Sequence, residues 1–139
     1  MKTGFFEQVS ESKINGYISI SLYPSNNNFI CCEYKSLAPN WKLFENLKKK
    51  KISEKQFINS YMEQLLCLEA KTVYEDLKNL VFGFEPIIMT NVSKKKFCHR
   101  HIVAEWFENE LGIVIEEYKF GKVTRSNGYM KKNTNPTLF

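Results

Sequence analysis

The residues best suited to chemistry lie together in Phe97-Cys98-His99-Arg100-His101, directly after three consecutive lysines, Lys94 to Lys96. A thiol, an imidazole and a guanidinium in succession offer a nucleophile, a general base and a permanent cation. Ile87-Ile88-Met89-Thr90 before them reads as a short apolar strand, Asn91-Val92-Ser93 as the loop that leaves it, and Cys98 to Gly112 as a helix. Ligands of open α/β sheets bind beyond the carboxyl ends of strands, and the segment Asn91 to Arg100 leaves from such an end. If the helix begins near Cys98, its thiol meets unpaired backbone N–H groups and the positive dipole end, which lower a thiol pKa and favour a bound anion. A wheel of about 3.6 residues per turn sets Val103, Trp106, Phe107 and Leu111 on the core side with His99 and Arg100, and turns His101 towards solvent. An inward guanidinium needs a partner, which is either a carboxylate of the fold, Glu117 or Glu33, or an anionic ligand. Cys98 and His99 are therefore the catalytic candidates, and Cys98, His99 and Arg100 are candidates for holding an anion. The plain alternative makes Cys98 a small buried residue, His99 a hydrogen-bonded core histidine and Arg100 a salt-bridge anchor.

The elements that must position this run are legible in outline. In Gly16 to Pro24, Tyr17, Ser19, Ser21 and Tyr23 alternate with Ile18, Ile20 and Leu22, a strand that Pro24 ends. Its end is expected beside the Asn91 loop, which adds Asn91, Ser21 and Tyr23 to the ligand-binding candidates. Phe29 to Tyr34 reads as a second extended piece. Asn40, after Pro39, is placed to cap a short amphipathic helix carrying Trp41, Leu43, Phe44 and Leu47 and closing in Lys48 to Lys51. Ser53 and Gln56 have the spacing of a capping box, ahead of the stripe Phe57, Ile58, Tyr61, Leu65 and Leu66. Val73, Leu77, Leu80 and Val81 mark a further helix that Gly83 stops. Helices around short apolar strands predict a compact three-layer α/β domain, its mostly parallel, Rossmann-like sheet flanked by helices.

Composition narrows the setting. The 139 residues are 43% hydrophobic, enough for one core; a single domain over 1–118 and a basic C-terminal extension over 119–139 are expected. That extension carries Lys119, Lys122, Arg125, Lys131 and Lys132 among Phe120 and Tyr129, with a turn at Ser126-Asn127-Gly128. Lysine and arginine exceed aspartate and glutamate, 20 against 15, for a net charge of +5, which favours a nucleotide or nucleic acid as partner. The four cysteines lack C-x-x-C spacing, so reduced thiols in the cytoplasm are expected. No apolar run approaches the roughly 20 residues of a membrane span, and neither metal-ligand spacing nor a phosphate-binding glycine loop is present. Neither metal nor cofactor is expected.

Phe97-Cys98-His99-Arg100-His101-Ile102-Val103-Ala104-Glu105-Trp106, preceded by an apolar strand and followed by Ile113 to Glu117, resembles the hallmark of the domain-of-unknown-function 488 family. So does Leu37-Ala38-Pro39-Asn40-Trp41 with the later Tyr61 to Leu65. The resemblance implies a compact α/β fold with a parallel sheet, a pocket built from the Cys-His-Arg segment and strand ends, and an association with nucleotides, modified bases or genome conflict. Met89 and Asn91 stand where the family commonly has a cysteine and a glutamate. Loss of that carboxylate removes a general base, which disfavours hydrolysis and leaves binding of a nucleotide, or of a nucleic-acid base or end, as the leading expectation.

Overall fold

The structure is a computed structural model that describes residues 1–8, 16–23, 32–92 and 96–131. In chain order the elements are β1 (Lys2–Phe5), β2 (Tyr17–Ser19), β3 (Cys32–Glu33), α1 (Trp41–Lys48), α2 (Glu54–Leu66), α3 (Ala70–Leu80), β4 (Ile87–Thr90), α4 (His99–Leu111), β5 (Glu116–Glu117), β6 (Thr124–Ser126) and β7 (Tyr129–Lys131). Strands β1 to β5 form one sheet in the order β3-β2-β4-β1-β5, every pairing parallel, while β6 and β7 make an antiparallel hairpin. With four helices flanking it, this is the expected three-layer α/β class. Among the described residues no helix is long and apolar enough to cross a membrane.

Local chemistry accounts for most of the element ends. Asn40 Oδ1 accepts from the N–H groups of Lys42 and Leu43 and so starts α1. Ser53 and Gln56 satisfy one another's backbone N–H groups at the head of α2. Gly112, at φ 66°, takes the left-handed turn that closes α4. Strand β4 is buried along its whole length in the middle of the sheet, as a continuous apolar run requires. Its neighbour β1 carries no such signal. Lys2-Thr3-Gly4-Phe5 is extended because β4 and β5 pair with it on either side. Helix α1 differs from expectation, for Trp41 is 59% exposed; α1 has no fully buried residue, and this first-turn side chain lies outside the packed face.

Strand alternation sorts the core. Ile18, Ile20 and Ile88 join Phe57, Tyr61, Leu77, Val103 and Phe107 in the larger cluster, and Tyr17, Ile87 and Met89 join Phe6 in the smaller. Register aligns Thr3 with Ile88 and Glu117, and Phe5 with Thr90. Thr3, Thr90 and Glu117 therefore fall on the same side of the sheet as Ile88, a polar strip within an apolar face. Residues on either side of position 118 are in contact. Arg125 of β6 reaches the same strip, and Tyr129 of β7 donates to Glu54 Oε2 of α2 at 2.7 Å.

Candidate functional site

Cys98 sits in extended backbone, φ −152° and ψ 139°, as the residue that opens α4. Its own N–H donates to the carbonyl of Gly128 at 2.8 Å, so the C-terminal hairpin holds the helix start. The thiol lies 3.1 Å from Thr90 Oγ1 and 4.0 Å from His99 Nδ1. His99 Nε2 is 2.8 Å from the carbonyl of Ile20. A carbonyl only accepts, so Nε2 carries a proton and Nδ1 faces the sulfur. Tyr61 stacks edge-on against the imidazole at 5.7 Å and anchors its own hydroxyl on the carbonyl of Leu37. A cysteine with a hydrogen-bonded histidine beside it is the elementary arrangement for thiol activation.

The inward guanidinium is sealed. Arg100 is 0% exposed; its Nη2 donates to Glu117 Oε2 at 2.9 Å and its Nε to Oε1 at 3.4 Å. Nη1 donates to Thr90 Oγ1 at 3.0 Å and to the carbonyl of Val92 at 2.6 Å, and the Phe5 ring lies against the group. Of the partners weighed from sequence, Glu117 is therefore the one used; Glu33 instead pairs with Lys35 at 3.4 Å near the surface. Four of the five N–H groups of Arg100 are thus taken up within the fold. Its charge acts through its neighbours.

His101, expected to face solvent, is buried as well. The hairpin covers that side of α4, which a wheel drawn on one helix cannot register, and Arg125 Nε donates to His101 Nδ1 at 3.1 Å. Burial, then the charges of Arg100, Arg125 and His99, push its pKa down to about 2, so this ring is neutral.

The Cys98 pKa is lowered as well, because nearby positive charge favours an ionised thiol just as it disfavours an ionised imidazole. Burial alone would raise the Cys98 pKa, but the Arg100 charge, the hydrogen bond and charge of His99 and the Thr90 hydroxyl outweigh it and bring the thiol down from 9.0 to about 6. Thr90 accepts from Arg100, so its single proton is available to a thiolate at Sγ. Tyr61, buried beside this sulfur, is held well above the ordinary phenol range by burial and by Cys98. Cys98 itself is 2% exposed.

The structure also brings Asn91, Ser21 and Tyr23 together. Asn91 N–H donates to Ser21 Oγ at 3.2 Å, and its side-chain amide donates to the carbonyl of Tyr23 at 3.3 Å. Lys96 is exposed ahead of the helix, whereas Lys94 and Lys95 lie outside the described residues, as do Phe29 to Cys31. A recess of about 340 Å³ between α2, α4 and the hairpin turn touches Met62, Trp106 and Asn127, and one of about 770 Å³ beside α1 touches Lys35, Trp41 and Gln64; neither reaches Cys98, His99 or Arg100. Among the described residues no group of three or more histidine, cysteine, aspartate or glutamate side chains is arranged to hold a metal ion. Sequence reasoning missed Thr3, Thr90 and Arg125. The first two were ordinary strand threonines, and only the cation inside a basic tail offered any signal for the third.

A family model described as the active DUF488-N3 subclade matches residues 23–111, more than half of the chain. No curated protein and no solved structure matches it.

Proposed function

Because the chain belongs to the DUF488 family, we propose that it acts on a nucleotide, or on a nucleic-acid base or end, with Cys98 as nucleophile and His99 as base. The observation that carries this is the thiol held between the Thr90 hydroxyl and His99 Nδ1, with Arg100 buried behind them. His99 takes the thiol proton, the sulfur lone pair forms a bond to an electrophilic centre of the substrate, and the leaving group departs with the proton returned from His99. The lost strand-end glutamate is then no obstacle, since the histidine supplies the base. Support for the substrate class comes from the net charge of +5 and the lysine run ahead of the helix. The subclade's description as active favours chemistry over binding alone. Because Cys98 is buried, substrate must gain access as it binds.

Alkylation with iodoacetamide across pH, read on the Cys98 peptide by mass spectrometry because Cys32 and Cys67 are exposed and also react, tests the proposal. Expected is a Cys98 rate rising with a midpoint near 6 and slowed by nucleotides or a short oligonucleotide. A Cys98 inert in the folded protein, with no nucleotide-dependent rise in Tm, would overturn it. That outcome would favour the second reading, suggested by the 2% exposure of Cys98, in which the cluster serves only the fold.

A further inference from the structure

Two arginines share one buried carboxylate. Glu117 pairs with Arg100 Nη2 at 2.9 Å and lies 3.9 Å from Arg125 Nη2, and the three side chains are 0%, 0% and 1% exposed. Thr3 bridges the second contact, with its hydroxyl 2.6 Å from both Glu117 Oε1 and Arg125 Nη2. A guanidinium only donates and a carboxylate only accepts, so that hydroxyl proton has a single direction. Arg125 is further fixed on the carbonyl of Ile115 at 2.7 Å and on His101 Nδ1. Arg100 and Glu117 alone would be a neutral pair with little net field at the helix start. With Arg125 the cluster holds one positive charge in excess, out of reach of water.

The ionisable groups around it leave few ways to balance that charge. Glu105 and Glu108 of α4 attract Arg125, but both are partly exposed and screened. His101 is neutral as the acceptor of Arg125, and Tyr61 keeps its proton. His99 faces the sulfur and brings no negative charge. Cys98 remains, one hydroxyl away from Arg100 through Thr90.

We propose that the C-terminal hairpin is part of the site: Arg125, by taking a share of Glu117, leaves the Arg100 charge uncancelled, and a Cys98 thiolate balances it. Arg125 is thus a positioning residue, outside the stretch that the family model matches. The same hairpin supplies the Gly128 carbonyl that holds the Cys98 N–H. This deepens the reading of Cys98 as the reactive group and rests on it.

The test uses the full chain and the pH profile of Cys98 alkylation. Arg125→Gln is expected to move the midpoint up by about one unit, a rate about tenfold lower at pH values below both midpoints, while Arg125→Lys, which keeps the charge, stays near wild type. A wild-type midpoint in folded Arg125→Gln overturns the inference. Should that variant not fold, Thr3→Val, which removes the hydroxyl joining Arg125 to Glu117, decides by the same profile: a raised midpoint upholds the inference and a wild-type midpoint overturns it. A thiolate that is present yet never alkylated and never protected by nucleotide sinks the proposed chemistry and leaves the charge balance standing. Brisk, nucleotide-protected alkylation whose midpoint ignores Arg125 does the reverse.

Discussion

The hydroxyl of Thr90 touches both the cation and the sulfur, accepting from Arg100 Nη1 and lying 3.1 Å from Cys98 Sγ. Valine has nearly the same shape without the hydroxyl. Thr90→Val therefore leaves a buried guanidinium N–H with one acceptor fewer and removes the donor to the thiolate. Urea unfolding is expected to show a loss of about 1–3 kcal/mol, together with an upward shift in the pH midpoint of Cys98 alkylation. An unchanged midpoint would show that the hydroxyl does not stabilise the charged sulfur. At this scale the adjacency of a thiol and an imidazole and the need of Arg100 for a partner were legible from residue type. The identity of the partner was not, because Glu117 is 17 positions from Arg100 and reaches it only after β5 joins the sheet.

Among the elements, the β6–β7 hairpin contributes more than its length suggests. Gly128 turns it at φ 83°, and a Cβ there would run into the Phe97 ring immediately before Cys98. Gly128→Ala should cost about 1–3 kcal/mol by crowding and backbone strain together. Gly121 also has positive φ, 73°, but opens on free space, so Gly121→Ala should carry the strain alone and cost less; equal losses in urea melts of the two variants would refute the packing account. Helix starts were the most legible elements. Asn40 and the Ser53/Gln56 box act within a single turn, where nearest-neighbour chemistry decides. Strand β1 was illegible, and of the hairpin only the turn at Ser126-Asn127-Gly128 showed, since each of these strands is specified by its partner and not by its own residues.

For the molecule as a whole, two buried groups make stability rise with pH. His101 is neutral in the fold, its pKa at about 2 against 6.5 when free, so below the ordinary histidine range the unfolded chain gains a proton that the folded chain refuses and stability falls. Cys98, at about 6 against 9.0, is charged in the fold while still protonated in the unfolded chain between those values, so stability climbs across that interval and the gain is lost as pH falls through about 6. Urea midpoints should accordingly increase from acid to mildly alkaline pH. Cys98→Ala should flatten the upper part of this curve and His101→Asn the lower, and a level wild-type profile would contradict both assignments.

What the amino-acid order determined unaided was local or periodic: the α/β class, the apolar middle strand, the capped helices, and a thiol and imidazole at the head of α4. What only the tertiary structure decided was how charge is distributed around them. Thr3 and Glu117 are 114 positions apart, and Arg125 and Thr3 are 122 apart. Those contacts exist because parallel pairing sets β1 between β4 and β5 and folds the hairpin back onto α4. No window of sequence spans them, and burial then turns ordinary polar side chains into a coupled network by removing the water that would otherwise have screened each one separately.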